Sequence, residues 1–495
     1  MKKIKKIIAI LLLSNISFSI LSNQSEKLSH QSQKKIITII GTGYVGLVTG
    51  AGLAELGNTV ICADIDVHKI SRLQQGEIPI YEQGLKHLVD HNVAANRLFF
   101  TNNVGQAIQD ATLIFVAVNT PMGEDGAANL TALKSVVQSI AQHINNHKII
   151  VIKSTVPVGT GQQVRTLLEQ QGVAPTMFDM VSNPEFLREG SAVNDFLAPD
   201  RLVIGAESNY AIDAICKIYE PLIMRGTPHV LTNIVTAEIT KYAANAFLAT
   251  KVSFINEIAN LCDTIQADAQ TVALALGLDS RINPKFLKFG PGFGGSCFPK
   301  DTEALLYTAQ QHGINLHTVH AAIQANKMQQ KKPAEKLFKL MKNYFGDEHI
   351  KGKTATLLGL AFKANTDDIR YSPAIQTINL LLQHGIQVKV YDPAAMQNMQ
   401  QLFPDITYCS SAYEAVTDTD AIIVMTEWDE FKQMNIDQVS KLMRTQILVD
   451  ARNILNPIEL KQKGFLCDTI GQSYLCLQEP TTQQLTKSYR TMLSE

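Results

Sequence analysis

The stretch Gly290-Pro291-Gly292-Phe293-Gly294-Gly295-Ser296-Cys297-Phe298-Pro299-Lys300-Asp301 places a cysteine at the end of a glycine-rich loop. Proline suits the first turn of a helix, so Cys297 should stand at a helix N-terminus. That position, with Lys300 three residues on, favours thiolate over thiol. Closely spaced glycines also let backbone N–H groups approach a ligand. The competing reading is a small buried cysteine in a tight turn. A second constellation is Gly41-Thr42-Gly43-Tyr44-Val45-Gly46, a G-x-G-x-x-G, with Asp64 lying 23 residues after Gly41. An apolar, β-branched run (Ile36 to Ile40) precedes it and a helical pattern (Val45 to Leu56) follows. In that setting Gly41 makes the tight turn, Gly43 lets the backbone reach a pyrophosphate, and Gly46 permits close helix–strand packing. The helix N-terminus holds phosphate charge. Asp64 would take the ribose hydroxyls, which predicts NAD rather than its phosphorylated form. Lys69 either weakens that preference slightly or is a solvated helix residue.

Other patterns are weaker alone. Asn183-Pro184-Glu185-Phe186-Leu187-Arg188-Glu189-Gly190 sets two carboxylates four residues apart, which by composition reads as a solvated face. Lys241 and Asn245 share one helix face, and their flanks (Tyr242, Ala243, Ala244, Ala246, Phe247, Leu248) are mostly apolar. They are either a buried polar pair or a helix-stabilising surface pair. Pro199-Asp200-Arg201 is a turn into the strand Leu202 to Gly205. Gly359-Leu360-Ala361-Phe362-Lys363 has one glycine and lacks the dinucleotide fingerprint, yet strand ends of such sheets take ligands. Two nucleotide-shaped sites suggest one cofactor and one nucleotide-linked substrate.

These residues must be held by an alternation of strands and helices. Apolar runs at Ile36–Ile40, Thr59–Ala63, Asp110–Val118 and Lys148–Ile152 read as strands of a parallel sheet covered on both faces. The plan repeats at Thr354–Leu358, Gln387–Tyr391, Asp420–Met425 and Ile447–Asp450, with a helix through Ala374 to Leu382. Between the halves, Thr236 to Ile265 is a helical pattern without Pro or Gly, ~45 Å long at 1.5 Å per residue. The fold class is therefore α/β: two Rossmann-like doubly wound parallel-sheet domains joined by a long central helix in a helical middle domain. The divisions expected are an N-terminal extension at 1–33, an NAD-binding domain at 34–225, a helical domain at 226–330, a second Rossmann-like domain at 350–472 and a tail at 473–495.

Composition bounds the function. The 495 residues suggest about three domains at ~150 residues each. Lys+Arg (44) nearly cancel Asp+Glu (45), which argues against a nucleic-acid binder. Seven cysteines with no C-x-x-C pair fit neither a zinc ribbon nor a disulfide scaffold, so no metal is expected. Met1-Lys2-Lys3-Ile4-Lys5-Lys6 and the interrupted apolar run Ile7–Leu21 look like a secretory signal, but too short and polar to span a bilayer. The favoured reading is a dispensable extension.

Taken together, the motifs resemble those of the UDP-glucose 6-dehydrogenases from about Lys35 to Gly471. The resemblance rests on Gly41 to Leu47, Ser154-Thr155-Val156-Pro157-Val158-Gly159-Thr160, Asn183 to Gly190, Gly294 to Asp301, Gly359 to Lys363 and Asp450-Ala451-Arg452-Asn453. It implies two successive oxidations of the sugar C6 by NAD. Cys297 captures the aldehyde as a thiohemiacetal, and the resulting thioester is hydrolysed to UDP-glucuronate, supplying glucuronate for surface polysaccharide. By the same resemblance Lys241 and Asn245 steady developing oxygen charge, Asp301 with Thr155 and a water moves protons, and Glu185 assists thioester hydrolysis. Gly41, Gly43, Tyr44, Val45, Gly46, Asp64, Lys69, Thr120, Thr155, Glu189 and Lys300 line the cofactor, with Glu189 near the nicotinamide. Glu185, Phe186, Leu187, Lys241, Asn245, Phe286, Leu287, Lys288, Gly290 to Gly294, Phe362, Lys363 and Arg452 line the substrate. Arg281 reaches the substrate of a neighbouring subunit, which implies a homodimer or higher oligomer built on the long helix.

Related enzymes oxidise GDP-mannose or UDP-N-acetylhexosamines, and a catalytically dead NAD-binding sensor is a further possibility. The Phe293–Asp301 stretch and the Pro199-Asp200-Arg201 turn look more like the UDP-glucose branch, and intact Cys297, Lys241, Asp301 and Glu185 argue against a dead sensor. Free NAD and a free thiol point to the cytoplasm. Gln472 after Ile470-Gly471 departs from the arginine often found there, which puts a role for that end in doubt.

Overall fold

The computed structural model describes residues 36–123 and 126–473. The expectations for the 1–33 extension and for the tail beyond Ser473 lie outside the described residues. Two sheets form the frame. The first contains β1 (Ile36–Ile40), β2 (Thr59–Ala63), β3 (Leu98–Thr101), β4 (Leu113–Val116), β5 (Lys148–Ile152), β6 (Phe178–Ser182), β7 (Leu202–Ala206) and β8 (His229–Thr232). Its order is β3-β2-β1-β4-β5-β6-β7-β8. The second contains β9 (Thr354–Leu358), β10 (Gln387–Tyr391), β11 (Thr407–Tyr408), β12 (Ala421–Val424), β13 (Ile447–Asp450) and β14 (Leu466–Thr469), in the order β11-β10-β9-β12-β13-β14. Each order reverses beside its first strand, the topological switch point where open α/β sheets bind ligands.

The central strands are shut from water on both faces. Every residue of β4, β5, β9, β12 and β13 is buried, as continuous apolar runs require. One expectation is corrected. The first sheet is not wholly parallel, because β7 runs antiparallel to β6 while β8 runs parallel to β7. With this reversal, the connection 183–201 begins and ends at the carboxyl edge of β6, and its Ala192 and Phe196 pack into the first core. The runs expected at Asp110–Val118 and Asp420–Met425 give strands of only four residues each. Strands β3, β8 and β11 are short, of four, four and two residues, and β3 and β8 are mostly exposed or half-buried, so they lack the long buried runs of the central strands.

Five helices matter for the site. They are α1 (Tyr44–Glu55), α2 (Thr160–Gln170), α3 (Ile234–Ile265), α4 (Ala269–Leu278) and α5 (Phe298–Gln311); α6 (His317–Gln329) braces them. The central helix α3 runs 32 residues, capped at its start by the Asn233 side chain and ended by Gln266 in the left-handed conformation. Glu238, Lys241, Asn245, Ala249, Ser253 and Asn256 recur at spacings of three and four, and all are buried. The helix thus turns a polar stripe inward. Ser253 donates to the Ala322 carbonyl on α6, Asn256 accepts the Gly290 N–H, and Asn260 donates to Gln329. Gln472 donates to Asp268 and Gln270, which ties the end of β14 to the start of α4. Among the described residues, no helix is long and apolar enough to cross a membrane.

Phe115 lies at 0% exposure in the middle of β4. Its replacement by alanine should cost about 3–5 kcal/mol, read as a lower denaturant midpoint for unfolding of the first sheet.

Candidate active site

The dinucleotide edge is built where β1 meets α1. Gly41 has φ +100°, and a Cβ there would stand 2.7 Å from the Ala117 carbonyl. A Cβ on Gly46 would stand 1.8 Å from the Gly41 carbonyl, so only glycine lets α1 pack this close. Gly43, by contrast, has just one neighbour, Asn119 Oδ1, at 3.7 Å, and no side chain caps the helix it opens. The first-turn N–H groups therefore face a gap suited to a pyrophosphate. Asp64, at the end of β2, accepts from Thr42 N–H and Oγ1, both at 2.8 Å. Burial alone would raise its pKa, but these donors, Asp66 N–H and Lys69 hold it below the usual value. An ionised carboxylate at this strand end is the acceptor that ribose hydroxyls need. Lys69 bonds Asp64 at 3.1 Å, so its charge is spent there. The residues present fit NAD.

The chemical centre lies where α3 and α5 meet the carboxyl edge of the first sheet. Lys241 Nζ stands 3.0 Å from Glu185 Oε1, with side chains 3% and 4% exposed. Burial would raise the Glu185 pKa, yet Lys241, the Leu187 N–H and Lys153 hold it low. Burial would likewise lower that of Lys241, yet Glu185, Cys297 and Asp301 raise it. Both groups are therefore charged. Phe186 is covered by the Arg201 guanidinium at 3.6 Å and faces Lys241 Nζ at 5.4 Å. One turn along α3, Asn245 Nδ2 donates to Asp301 Oδ2 at 2.6 Å, and Asp301 is fully buried. The alternatives left open by the sequence close here. Lys241 and Asn245 form no surface pair, and Glu185 and Glu189 no solvated face, because all four are buried.

Cys297 does stand immediately before α5. Its expected thiolate character is corrected. Burial first, then the Glu185 carboxylate, pushes the thiol up to about 11, against the opposing charge of Lys241. Lys300 does not help, because its ammonium bonds Asp301. The lysine that acts on the sulfur is Lys241, 56 positions away in the chain. Ser296 Oγ lies 3.5 Å from the sulfur and donates to Glu189 Oε1 at 2.9 Å. Glu189 also receives Thr366 Oγ1. Burial and neighbouring Asp368 raise the Glu189 carboxyl to about 7.

The second sheet supplies the other wall. Arg452 donates to the carbonyls of Met425 and Phe362 and pairs with Glu427 at 3.1 Å. Phe362 packs over Gly294 and Gly295: a Cβ on Gly294 would stand 3.1 Å from the Phe362 Cβ, and one on Gly295 2.7 Å from its ring. Lys363 lies among Glu189, Glu427 and Glu82, in a cleft of about 230 Å³ lined by residues of both sheets' loops. The glycine-rich loop is pinned from α6, where Asn326 bonds both the N–H and the carbonyl of Phe293.

Not every expected residue meets the centre. Arg281 is 88% exposed and pairs with its neighbour Asp279. Leu287 is buried in the second core, so only its backbone is available, while Lys288 is exposed and Phe286 stacks near Phe298 at 6.1 Å. Leu187 packs against the first core. Thr120 donates to the Thr155 carbonyl at 2.7 Å and so shapes the loop that presents Thr155. Tyr44 accepts from the Gly190 N–H through its hydroxyl, and Val45 packs into the first core. Sequence reading missed three buried charges. Glu238 accepts the N–H groups of Gly159 and Gly161, locking the start of α2 to α3. Glu82 accepts those of Gly190 and Ala192. Lys153, 5% exposed, ends β5 beside Glu185 and Lys241. A lysine directly after the apolar run Ile149–Ile152, at a sheet's carboxyl edge, was the available signal.

A G-x-G-x-x-G edge with an ionised strand-end carboxylate, opening onto a buried Lys–Glu pair and a cysteine, defines a nicotinamide-dependent dehydrogenase. Residues 35–223 match the NAD binding domain of the UDP-glucose/GDP-mannose dehydrogenase family, 235–328 its central domain and 356–457 its UDP binding domain. The chain is 45% identical over 448 residues to the UDP-glucose 6-dehydrogenase TuaD of Bacillus subtilis, covering 90% of this chain and 95% of that one. It is 44% identical over 439 residues to the UDP-glucose 6-dehydrogenase of Rhizobium meliloti, covering 88% and 99%. A solved UDP-glucose dehydrogenase from the archaeon Pyrobaculum islandicum superposes with a TM-score of 0.79 at 33% identity, covering 86% of this chain and 96% of that one. The chain belongs to the UDP-glucose/GDP-mannose dehydrogenase family, and its cofactor is NAD.

With the thiol at about 11, alkylation of Cys297 by iodoacetamide in the unliganded protein should speed up tenfold per pH unit between pH 7 and 10. Lys241→Met should slow it further, because the stabilising ammonium is lost. Mass spectrometry of the peptide containing Cys297 checks both.

Proposed function

We propose that this protein oxidises UDP-glucose at C6 to UDP-glucuronate. The overall change is one primary alcohol, two NAD and one water to one carboxylate, two NADH and three protons. The observation that carries the reading is the convergence of Cys297, the Lys241–Glu185 pair and the Asn245–Asp301 pair beside the NAD edge. NAD, when bound, accepts a hydride from C6 in each oxidation. Lys241 and Asn245 place an ammonium and an amide N–H where the C6 oxygen gains negative charge. Asp301 and the Thr155 loop take up the alcohol proton through water. Cys297 Sγ then adds to the aldehyde carbon, forming the C6–S bond while its proton passes to the oxygen. Its raised pKa fits a neutral thiol that loses its proton only as this bond forms. In the second oxidation C6 of the thiohemiacetal gives up its remaining hydride as its hydroxyl proton leaves through water to Asp301, which leaves a thioester. In the last step Glu185 takes a proton from water as the water attacks the thioester, the C6–S bond breaks, and the sulfur regains a proton.

The names of the relatives and the UDP binding domain support UDP-glucose over GDP-mannose. The second sheet receives the nucleotide, with Arg452, Phe362 and Lys363 at its strand ends. The product supplies glucuronate for a surface polysaccharide. Among the described residues Cys62, Cys216, Cys262, Cys297 and Cys409 are free thiols, which fits a reducing, cytoplasmic site of action. The chain acts as a homodimer through α3. Phe247, Phe254, Leu261 and Ile265, spaced seven, seven and four, form an exposed apolar stripe on that helix, at 66%, 48%, 52% and 61% exposure. Arg281, outside the centre of its own chain and paired with its neighbour Asp279, serves that of the second copy in this reading.

Assayed with UDP-glucose, the protein should yield two NADH per sugar consumed. Cys297→Ser should still bind both ligands while acid formation falls on the order of a thousandfold. One NADH per sugar, or unimpaired turnover by the variant, would remove the covalent step. Light scattering should give the mass of a dimer, and Phe254→Asp should shift it towards the monomer; a monomeric wild type would overturn the dimer reading.

A further inference from the structure

Three buried charges stand together at the carboxyl edge of the first sheet, and the mechanism above uses two of them. Lys153 follows the last residue of β5 and is 5% exposed. Its ammonium donates to Asn183 Oδ1 at 3.1 Å. Asn183 is itself fixed, because its amide nitrogen donates to the Val203 carbonyl at 2.8 Å and its oxygen also accepts from Tyr219. Two residues on, Glu185 is paired with Lys241. Two lysines thus converge on one carboxylate. A buried ammonium held by one neutral acceptor is costly, and an apolar side chain would fill the site without that cost.

The cost is explained by what Lys241 must do. To meet the C6 oxygen, its ammonium has to give up some of its contact with Glu185. A buried carboxylate left without a cation would then take up a proton or pull the lysine back. We propose that Lys153 is the standing counter-ion of Glu185, keeping it ionised and in place while Lys241 serves the substrate oxygen. In this account Lys153 acts through Glu185 and not on a reacting atom, so it is a positioning residue. The inference rests on the oxidation proposed above.

The groups facing Lys153 are Glu185 from the loop after β6, Lys241 from α3, and Tyr219 through Asn183. Arg201, Cys297 and Asp301 lie beyond that pair. Burial, and then the like charge of Lys241 against the attraction of Glu185, brings Lys153 down to about 8. Lysine is charged below its pKa, so the counter-ion is present at pH 7 and lost above about 8.

The test is kcat against pH, with UDP-glucose and NAD, for wild type, Lys153→Met and Lys153→Arg. Wild type should lose activity above about pH 8 along a one-proton limb. K153M should lose 10–100-fold in kcat at pH 7, with both KM values within threefold, and should lack that limb. K153R should recover much of the rate and also lack the limb, since arginine stays charged. A K153M enzyme at full rate, or one slowed but keeping the limb near pH 8, would overturn the inference. If K153M does not fold, K153R decides: a limb persisting near pH 8 overturns the proposal, and its disappearance supports it. A wild type that reduces no NAD with UDP-glucose would overturn the oxidation and this inference together; an active wild type without the alkaline limb would overturn the inference alone.

Discussion

An ammonium and a carboxylate 3.0 Å apart, almost wholly shut from water, set the terms for the residues around them. Such a pair is costly to bury, and the cost is met only when the remaining protons and lone pairs are satisfied. Glu185 accordingly takes the Leu187 N–H as well as Lys241. The same low dielectric gives these charges their reach. It holds Glu185 ionised, and it lets Lys241 act on the sulfur of Cys297.

The architecture brings that pair to the carboxyl edge of the first sheet. Because β7 runs antiparallel to β6, the 183–201 connection begins and ends at one edge of the sheet, and Glu185 and Glu189 lie buried within it. The central helix contributes Lys241 and Asn245 to one end of its inward stripe and Asn256 to the other, where it pins Gly290. Glu238 and Glu82 do the same work for backbone, each holding two N–H groups of a loop that borders the site. Small displacements of these loops would move the reacting groups, so buried carboxylates are used where a surface contact would be too weak.

The cysteine shows how far local reasoning reaches. Its place before a helix and beside a lysine was legible, and both cues pointed to a thiolate. The fold places Lys300 on Asp301 and buries the sulfur near two carboxylates, so the thiol is protonated at rest. A neutral thiol suits the aldehyde capture proposed above, since an aldehyde is a reactive electrophile that needs no standing thiolate, and it is less exposed to adventitious oxidation.

Local order determined much of this protein without help. The G-x-G-x-x-G turn, Asp64 at the next strand end, the apolar runs that become β1, β2, β5, β9 and β13, the alternating run that becomes β10, and the long helix are all short-range patterns, because turn sterics and burial of sheet faces act over a few residues. The polar stripe on α3 was partly readable, since Lys241 and Asn245 sit one turn apart. What only the tertiary structure decided is who meets whom. Lys153, Glu185, Lys241 and Cys297 come from four separate segments, and Glu189 gains Thr366 and Arg370 as partners from the second sheet's loops. Charge state depends on burial and on neighbours brought from far along the chain, and no spacing rule encodes either.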